Sequence, residues 1–429
     1  MNAQQAIEWI HGARYKGEKV GLRNTRALLE ALGNPDRGLN MVHVAGTNGK
    51  GSVCALTERA LRACGLKTGL YTSPFLSRYN ERFRLNGAPI EDERLAQVAD
   101  KVYDAARMLE AAYGIHPTSF ELGTALAMEF FKQEKVDVAV IETGLGGRLD
   151  PTNVITPKVC GIATIAMDHM KVLGDSLEAI AGEKAGIIKR GVPAALYPQP
   201  DSVRAVFERA AQAADAPLLD LSGAKVEILH EDALGSRFRV EMPGYAPREV
   251  SISLPGRHQI GNAVLALAML RLLGKEMALD EERLIQGLAL ARWPGRLEWL
   301  GNVLLDGGHN EEGAHALYAY ASEHLKGKKM VLLTAMMKDK AVREALSWLS
   351  GISTRAVTTT LDMPRAMGAG ALAEIYRENG VEALAVEDAH QALLQAQNLA
   401  GPDGVVLVSG SLYLVGLLRP DLPGAYEAL

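Results

Sequence analysis

The sequence predicts two α/β domains. The first is larger and built on a parallel sheet with a small antiparallel excursion; the second is smaller and Rossmann-like. Three observations carry this expectation. Strand-like apolar runs alternate with helix-like segments through most of the 429 residues. Residues 224–254 interrupt the rhythm with short β-prone pieces between Pro and Gly. A fresh strand–helix series then follows Trp293-Pro294-Gly295.

The elements follow in order. Leu39 to Ala45 is a short apolar run that ends in a Gly-rich turn, and Lys50 to Cys64 has helical spacing at Val53, Leu56, Ala60 and Leu61. Val136 to Ile141 is continuously apolar, the mark of a strand buried on both faces; Cys160 to Ile165 and Val192 to Tyr197 read the same way. Helices fit at Leu177 to Lys189 and Asp201 to Ala214. Beyond the Trp-Pro-Gly break, Val303 to Leu305, Met330 to Leu333, Arg355 to Thr359, Leu384 to Val386 and Val405 to Val408 are candidate strands. The expected domains are 1–293 and 294–429.

Composition excludes several classes. With 48% apolar and 23% charged residues the chain is neither disordered nor fibrous. A net charge of −5 gives no basic surplus for nucleic acid. Cys54, Cys64 and Cys160 form no close pairs, which points to free thiols in a reducing compartment. Met1 to His11 lacks the basic and apolar regions of a signal peptide, and no apolar run approaches the ~20 residues that span a bilayer. A cytoplasmic monomer is expected.

The strongest local signal is the run Gly46-Thr47-Asn48-Gly49-Lys50-Gly51-Ser52. A buried strand enters a Gly-rich turn, and Lys50 and Ser52 open a helix. Glycines let backbone N–H groups converge on phosphate oxygens, and the helix N-terminus adds partial positive charge. Lys50 would reach the β- and γ-phosphates of a nucleotide, with Ser52 near its metal. The spacing G-x-x-G-K-G-S departs from the standard phosphate loop. The plain alternative is a tight turn with an exposed lysine.

The loop GTNGKGS resembles that of the folylpolyglutamate synthases and dihydrofolate synthases, within the Mur ligase superfamily. Further matching segments stand in the family's order: Tyr71 to Leu76 (YTSPFL), Tyr79 to Ile90 (YNERFRLNGAPI), Glu142 to Asn153 (ETGLGGRLDPTN), Asp168-His169, Glu183 to Lys189 (EKAGIIK), Gly256 to Asn262 (GRHQIGN), Trp293 to Leu297 (WPGRL), Asp306 to Asn310 (DGGHN), Pro364-Arg365 and Ser409 to Leu414 (SGSLYL). The resemblance spans nearly the whole chain. It implies a Mur-ligase-like ATP-binding domain followed by a C-terminal glutamate-ligase domain, with ATP and Mg²⁺ as cofactors.

Ser73, Glu142 and His169 each follow an expected strand, so their side chains can meet at one sheet edge. A carboxylate and a hydroxyl suit Mg²⁺. Taken alone, Ser73 reads as a turn residue, Glu142 as a cap and His169 as an ordinary polar group; the resemblance implies that they are metal ligands. Lys184 reads as a solvated helix lysine by itself. The resemblance implies a carbamylated lysine there, an anionic metal ligand formed when a neutral amine adds CO₂.

In the second half, Asn262 reads either as a helix cap or as an adenine contact. The resemblance implies nucleotide contacts for Asn262, Arg296 and Asp306, with ATP held between the domains. His309 and Ser411 are implied as helpers of the incoming glutamate, His309 with a catalytic role beside Lys50 and Lys184; ordinary loop structure is the alternative. On the folate side, Gly21-Leu22-Arg23, Thr118-Ser119-Phe120-Glu121 and Leu149-Asp150-Pro151 match segments that contact the pteroate in bifunctional members. Phe120 either stacks on a pterin or packs the core. Phe75 and Pro151 depart from the family's usual His and small residue.

The implied reaction is ATP-dependent addition of L-glutamate to a reduced folate through an acyl phosphate, with dihydropteroate open as a second acceptor. A Mur-type ligase for another carboxylate is one rival. A nucleotide-dependent switch is another, but no Asn-Lys-x-Asp element is found.

Overall fold

The computed structural model describes residues 1–13, 21–338 and 342–425. Two compact units emerge. The first comprises Met1–Leu229, Arg237–Ile252 and Ile260–Ala291; the second comprises His230–Ser236, Ser253–Gln259 and Arg292–Leu429. The last crossing, Ala291 to Arg292, lies beside Trp293-Pro294-Gly295.

The first unit is centred on a sheet of eight strands: β1 (Met41–Ala45), β2 (Thr68–Tyr71), β3 (Phe83–Leu85), β4 (Ala88–Pro89), β5 (Val138–Glu142), β6 (Val159–Ile162), β7 (Ala194–Leu196) and β8 (Leu218–Asp220). Their order is β4-β3-β2-β5-β1-β6-β7-β8. Every residue of β1 and β5 is buried, as a run without polar alternation requires. β1 pairs in parallel with β5 on one side and β6 on the other. The antiparallel pairings, β2 with β3 and β3 with β4, lie at one edge. From β1 the chain builds outward one way through β5 and β2 and the other way through β6 and β7. The topological switch, where open α/β sheets form their ligand crevice, is therefore at the C-terminal end of β1.

Packing explains strands that periodicity does not show. Gly69 in β2 lies under the ring of Phe131, so a Cβ there would sit 2.7 Å from Phe131 Cδ1. Tyr71, Phe83, Phe130 and Phe131 are fully or almost fully buried in one core cluster; Ile180, Ile187 and Phe207 belong to another. The helix Leu177–Ala185 is capped by Ser176, whose Oγ accepts from the Ala179 N–H at 3.2 Å. It ends before the expected Lys189 because the loop after β5 packs onto Gly186, where a Cβ would be 2.5 Å from Arg148 Cα. Ser176→Ala is expected to lower stability by about 1 kcal/mol, the usual worth of a serine cap, read as a shifted urea midpoint with an unchanged slope.

A separate sheet contains β9 (Lys225–Asp232), β10 (Gly235–Glu241) and β11 (Arg248–Ile252), in the stretch where the alternation breaks. The second unit holds β12 (Glu298–Leu300), β13 (Val303–Leu305), β14 (Met330–Thr334), β15 (Arg355–Thr358), β16 (Glu382–Ala385) and β17 (Val405–Ser409), in the order β12-β13-β17-β14-β15-β16. All its pairings are parallel except β12 with β13. Leu304, Leu332, Leu407 and Tyr376 lie in its core.

Candidate active site

The loop Gly46–Ser52 leaves the end of β1 at the switch point. Gly46 has φ +155° and packs so closely on Ala163, beyond β6, that a Cβ would lie 2.7 Å from Ala163 Cβ. Thr47 N–H donates to the Thr164 carbonyl at 2.7 Å, and Thr47 Oγ1 accepts from Ala166 N–H at 3.1 Å. Asn48 forms an isolated bridge with Thr164. Gly49, with φ +82°, precedes the helix Lys50–Ala63. A Cβ at Gly49 would stand 2.4 Å from Asn262 Oδ1, so Asn262 and the loop share one spot in the first unit. Ser52 is buried in the first turn of the helix.

Two lysine amines converge on this loop. Lys50 Nζ donates to the Thr47 carbonyl at 3.1 Å, and Lys184 Nζ donates to the Gly46 carbonyl at 2.8 Å. Lys184 is buried. Burial first, and the nearby Lys50 charge second, lower its pKa from the ordinary lysine value to about 7, against the opposing pull of Asp168 and Asp150. A near-neutral buried amine beside a phosphate-type loop is unlike a solvated helix lysine.

Glu142, the last residue of β5, is buried, and its Oε2 accepts from the Ser73 N–H at 3.1 Å. That bond brings Ser73 and Glu142 together, next to the cis Ser73-Pro74 bond. His169 stands several residues past β6 in a left-handed conformation, φ +48°, at the start of the short helix Met170–Leu173. Its Nε2 is 3.7 Å from Asp168 Oδ1 and its side chain is half exposed.

The folate-side candidates gather on the loop after β5. Phe120 packs its ring on Gly144, where a Cβ would be 2.2 Å from Phe120 Cζ. Gly21, φ +63°, has Leu149 Cδ2 as the near neighbour of its Cβ position at 3.5 Å. Leu22 precedes the helix Arg23–Ala31, and Arg23 is exposed. Asp150 is buried; Oδ2 accepts from Leu145 N–H at 2.7 Å and Oδ1 accepts from Thr152 N–H at 3.0 Å. Burial raises its pKa, and these bonds oppose the rise. Pro151 opens a short 3-10 turn. Thr118 and Glu121 form a capping box around Ser119 at the start of the helix Ser119–Glu134, which gives both side chains a structural task. Phe75 stacks on His11, with ring centroids 6.3 Å apart.

In the second unit, Asp306 follows β13 and is buried. Its Oδ2 accepts from Leu297 N–H at 3.2 Å and its Oδ1 from Gly308 N–H at 2.8 Å. Leu297 is held at φ +47°, a strained position for a leucine, beside half-buried Arg296. His309 Nδ1 lies 3.1 Å from the Gly307 carbonyl. A carbonyl only accepts, so Nδ1 carries the proton in the neutral ring and Nε2 is its acceptor. Ser411 caps the helix Leu412–Leu418, its Oγ accepting from Tyr413 N–H at 3.2 Å.

Sequence reasoning passed over Asp168, whose charge bears on Lys184, and Arg82, whose buried guanidinium carbon lies 5.2–5.5 Å from the ring centres of Phe120, Tyr79 and Tyr71. Both stand inside the motifs quoted above, but spacing alone does not show what they face.

Comparison with known proteins adds to this geometry. The Mur ligase middle domain family matches residues 44–270, and the Mur ligase glutamate ligase domain matches residues 295–412. A dihydrofolate synthase/folylpolyglutamate synthase of Bacillus subtilis (strain 168) is 36% identical over 98% of this chain and 99% of its own. A folylpolyglutamate synthase of Lacticaseibacillus casei is 35% identical over 99% of both. The solved folylpolyglutamate synthase of Mycobacterium tuberculosis complexed with ADP has a TM-score of 0.88 at 29% identity, covering 98% of each chain. E. coli FolC in complex with DHPP and ADP has a TM-score of 0.86 at 28% identity, covering 98% of this chain and 97% of that one.

Proposed function

The chain belongs to the folylpolyglutamate synthase/dihydrofolate synthase family of Mur ligases, and on that premise we propose how its residues make an amide bond. It is an ATP-dependent ligase that adds L-glutamate to tetrahydrofolate, using ATP and Mg²⁺. The acceptor carboxylate attacks the γ-phosphate of ATP in line, giving an acyl phosphate and ADP. The glutamate amine then attacks the acyl carbon, forming the C–N bond as the acyl C–O bond breaks and inorganic phosphate leaves with its electron pair. No serine or cysteine nucleophile is needed; positioning and charge stabilisation carry the rate.

The observation that carries the residue assignment is the meeting of Lys50 and Lys184 on the loop at the end of β1. We assign Gly46, Asn48, Gly49, Gly51 and Ser52 to the phosphates through backbone N–H groups and the Ser52 hydroxyl, with Thr47, whose N–H is held by the Thr164 carbonyl, shaping the loop. Lys50 offsets the charge that develops on the transferred phosphoryl group. Asn262 is assigned to the nucleotide, as are Arg296 and Asp306 of the second unit. His309 and Ser411 are assigned to glutamate, with the Nε2 of His309 as the acceptor for a proton of the attacking amine. Gly21, Phe120, Leu149 and Asp150 are assigned to the pterin, with Leu22, Arg23, Thr118, Ser119, Glu121 and Pro151 shaping that side. Ser73, Glu142, His169 and carbamylated Lys184 would hold Mg²⁺. The donor set fits a hard cation, since Glu142 is already oriented by the Ser73 N–H and the Lys184 amine is near neutral. Mg²⁺ neutralises phosphate charge when bound.

A monomer in the cytoplasm is the setting we propose. The three cysteines are unpaired, in keeping with a reducing compartment. Among the described residues no helix is long and apolar enough to cross a membrane.

The test is incubation with ATP, Mg²⁺ and glutamate, offering tetrahydrofolate and dihydropteroate in parallel. Products one glutamate heavier by mass support the reading; no glutamylated product with either acceptor overturns it. Glu142→Ala should raise the Mg²⁺ concentration needed for half-maximal activity by about tenfold or more, since loss of even an outer-shell partner costs 10–100-fold. An unchanged Mg²⁺ requirement would remove Glu142 from the metal site.

A further inference from the structure

Lys184 sits at the end of its helix, and what holds that end in place is the loop after β5. Arg148 N–H donates to the Glu183 carbonyl at 2.6 Å, and the Arg148 guanidinium pairs with the Glu183 carboxylate at 2.7 Å. Asn153 Nδ2 donates to the Arg148 carbonyl and to the Gly186 carbonyl, both at 3.0 Å. Only an amide NH₂ can serve two carbonyls, so the orientation of Asn153 is fixed by its partners. The residues on either side of Lys184 are thus tied to one loop. The fit is close: a Cβ on Gly147 would lie 2.7 Å from the Glu183 carbonyl oxygen, 2.8 Å from that of Lys184 and 2.9 Å from Lys184 Cα. Asn153 is itself buried, and its Oδ1 has no hydrogen-bond partner among the described residues. A buried acceptor left unmet is costly, which marks the two NH₂ bonds as the reason for an asparagine here.

We propose that Asn153 is a positioning residue for Lys184: through the Arg148 and Gly186 carbonyls it fixes the helix end so that the lysine amine stays at the Gly46 carbonyl. Its functional reading rests on the carbamate assigned above. In that step the amine lone pair attacks the carbon of CO₂, a C–N bond forms, one C=O π pair becomes the anionic oxygen, and the amine proton leaves to water. Among the described residues one hydrogen bond ties the amine to the loop, so a helix end free to shift would spread the nitrogen over several places. The same loop begins at Glu142, so one segment spaces two proposed metal ligands.

The experiment supplies ¹³C-bicarbonate to the full chain at fixed pH and reads the carbamate carbon by NMR, together with kcat and KM. Asn153→Ala is expected to cut the carbamate signal per folded molecule by about tenfold, in line with the loss of one to two neutral hydrogen bonds. kcat should fall with it while KM for glutamate holds. Adding Lys184→Ala to Asn153→Ala should cost little more than Lys184→Ala alone, since both act at one atom. Gly147→Ala, which pushes the helix end from the other side, should move the same readouts and serves if Asn153→Ala fails to fold. Multiplicative losses in the double variant, or a folded Asn153→Ala with wild-type signal and kcat, overturn the proposal. If wild-type protein shows no carbamate but the two losses remain non-multiplicative, the carbamate reading fails and the positioning role stands.

Discussion

Replacing Lys50 by alanine is expected to lower kcat by ~10²–10³, the cost of one charge-stabilising contact made in the transition state, about 3–4 kcal/mol. The fold should survive. The Lys50 amine bonds only a loop carbonyl in the described structure, and the helix it opens is held by Val53, Leu56, Ala60 and Leu61, all fully buried. Unfolding midpoints within error of wild type, with kcat lost, are the expected pair of results. Near-normal turnover in folded Lys50→Ala would end the phosphate-loop assignment. Lys50→Arg should not restore activity, because a planar fork cannot replace a compact ammonium in a tight loop.

Lys184→Ala is expected to cost about 10²-fold or more, since it removes a proposed ligand rather than a supporting group. It leaves space for a small carboxylate, so acetate or another short acid should restore part of the activity. Lys184→Arg should not be rescued, because its charged guanidinium fills the space. The pH dependence has a definite sign. The amine must be neutral to add CO₂, and its pKa is lowered to about 7. Bicarbonate should therefore activate more strongly as pH rises through about 7, and less below it. The stability of uncarbamylated protein follows the same shift. The unfolded chain binds more protons than the fold between pH about 7 and the ordinary lysine value of 10.5. Stability from this group thus rises with pH across that window, and the full cost is present below it. A free amine on Lys184 in active, metal-loaded enzyme would refute the carbamate.

Much of this was legible in the residues. β1, β5 and β6 show as apolar runs because burial on both faces leaves no room for polar alternation. The Gly46–Ser52 loop shows because φ of +155° and +82° at Gly46 and Gly49 demands glycine. β2 shows only as the strand expected before Ser73, without bounds, because Thr68–Tyr71 is short and its Gly69 makes sense only under the Phe131 ring. β12 escaped because it is three residues paired antiparallel to β13. The site was legible as residue types in order, but not as partners. Nothing in the spacing of Arg148, Asn153 and Glu183 shows that the first two meet the helix end beside the third. Thr118, Glu121 and Ser411 were read for substrate, and their side chains also satisfy helix N-termini. That second task is a local backbone need which any Ser or Thr at a helix start can meet.

ATP cleavage here serves amide formation. Steady-state ADP release, measured with ATP and Mg²⁺ while tetrahydrofolate and glutamate are withheld in turn, tests it most directly. Sustained release is expected only when both are present. Equal release with neither would show a nucleotide hydrolase or switch and contradict the ligase mechanism.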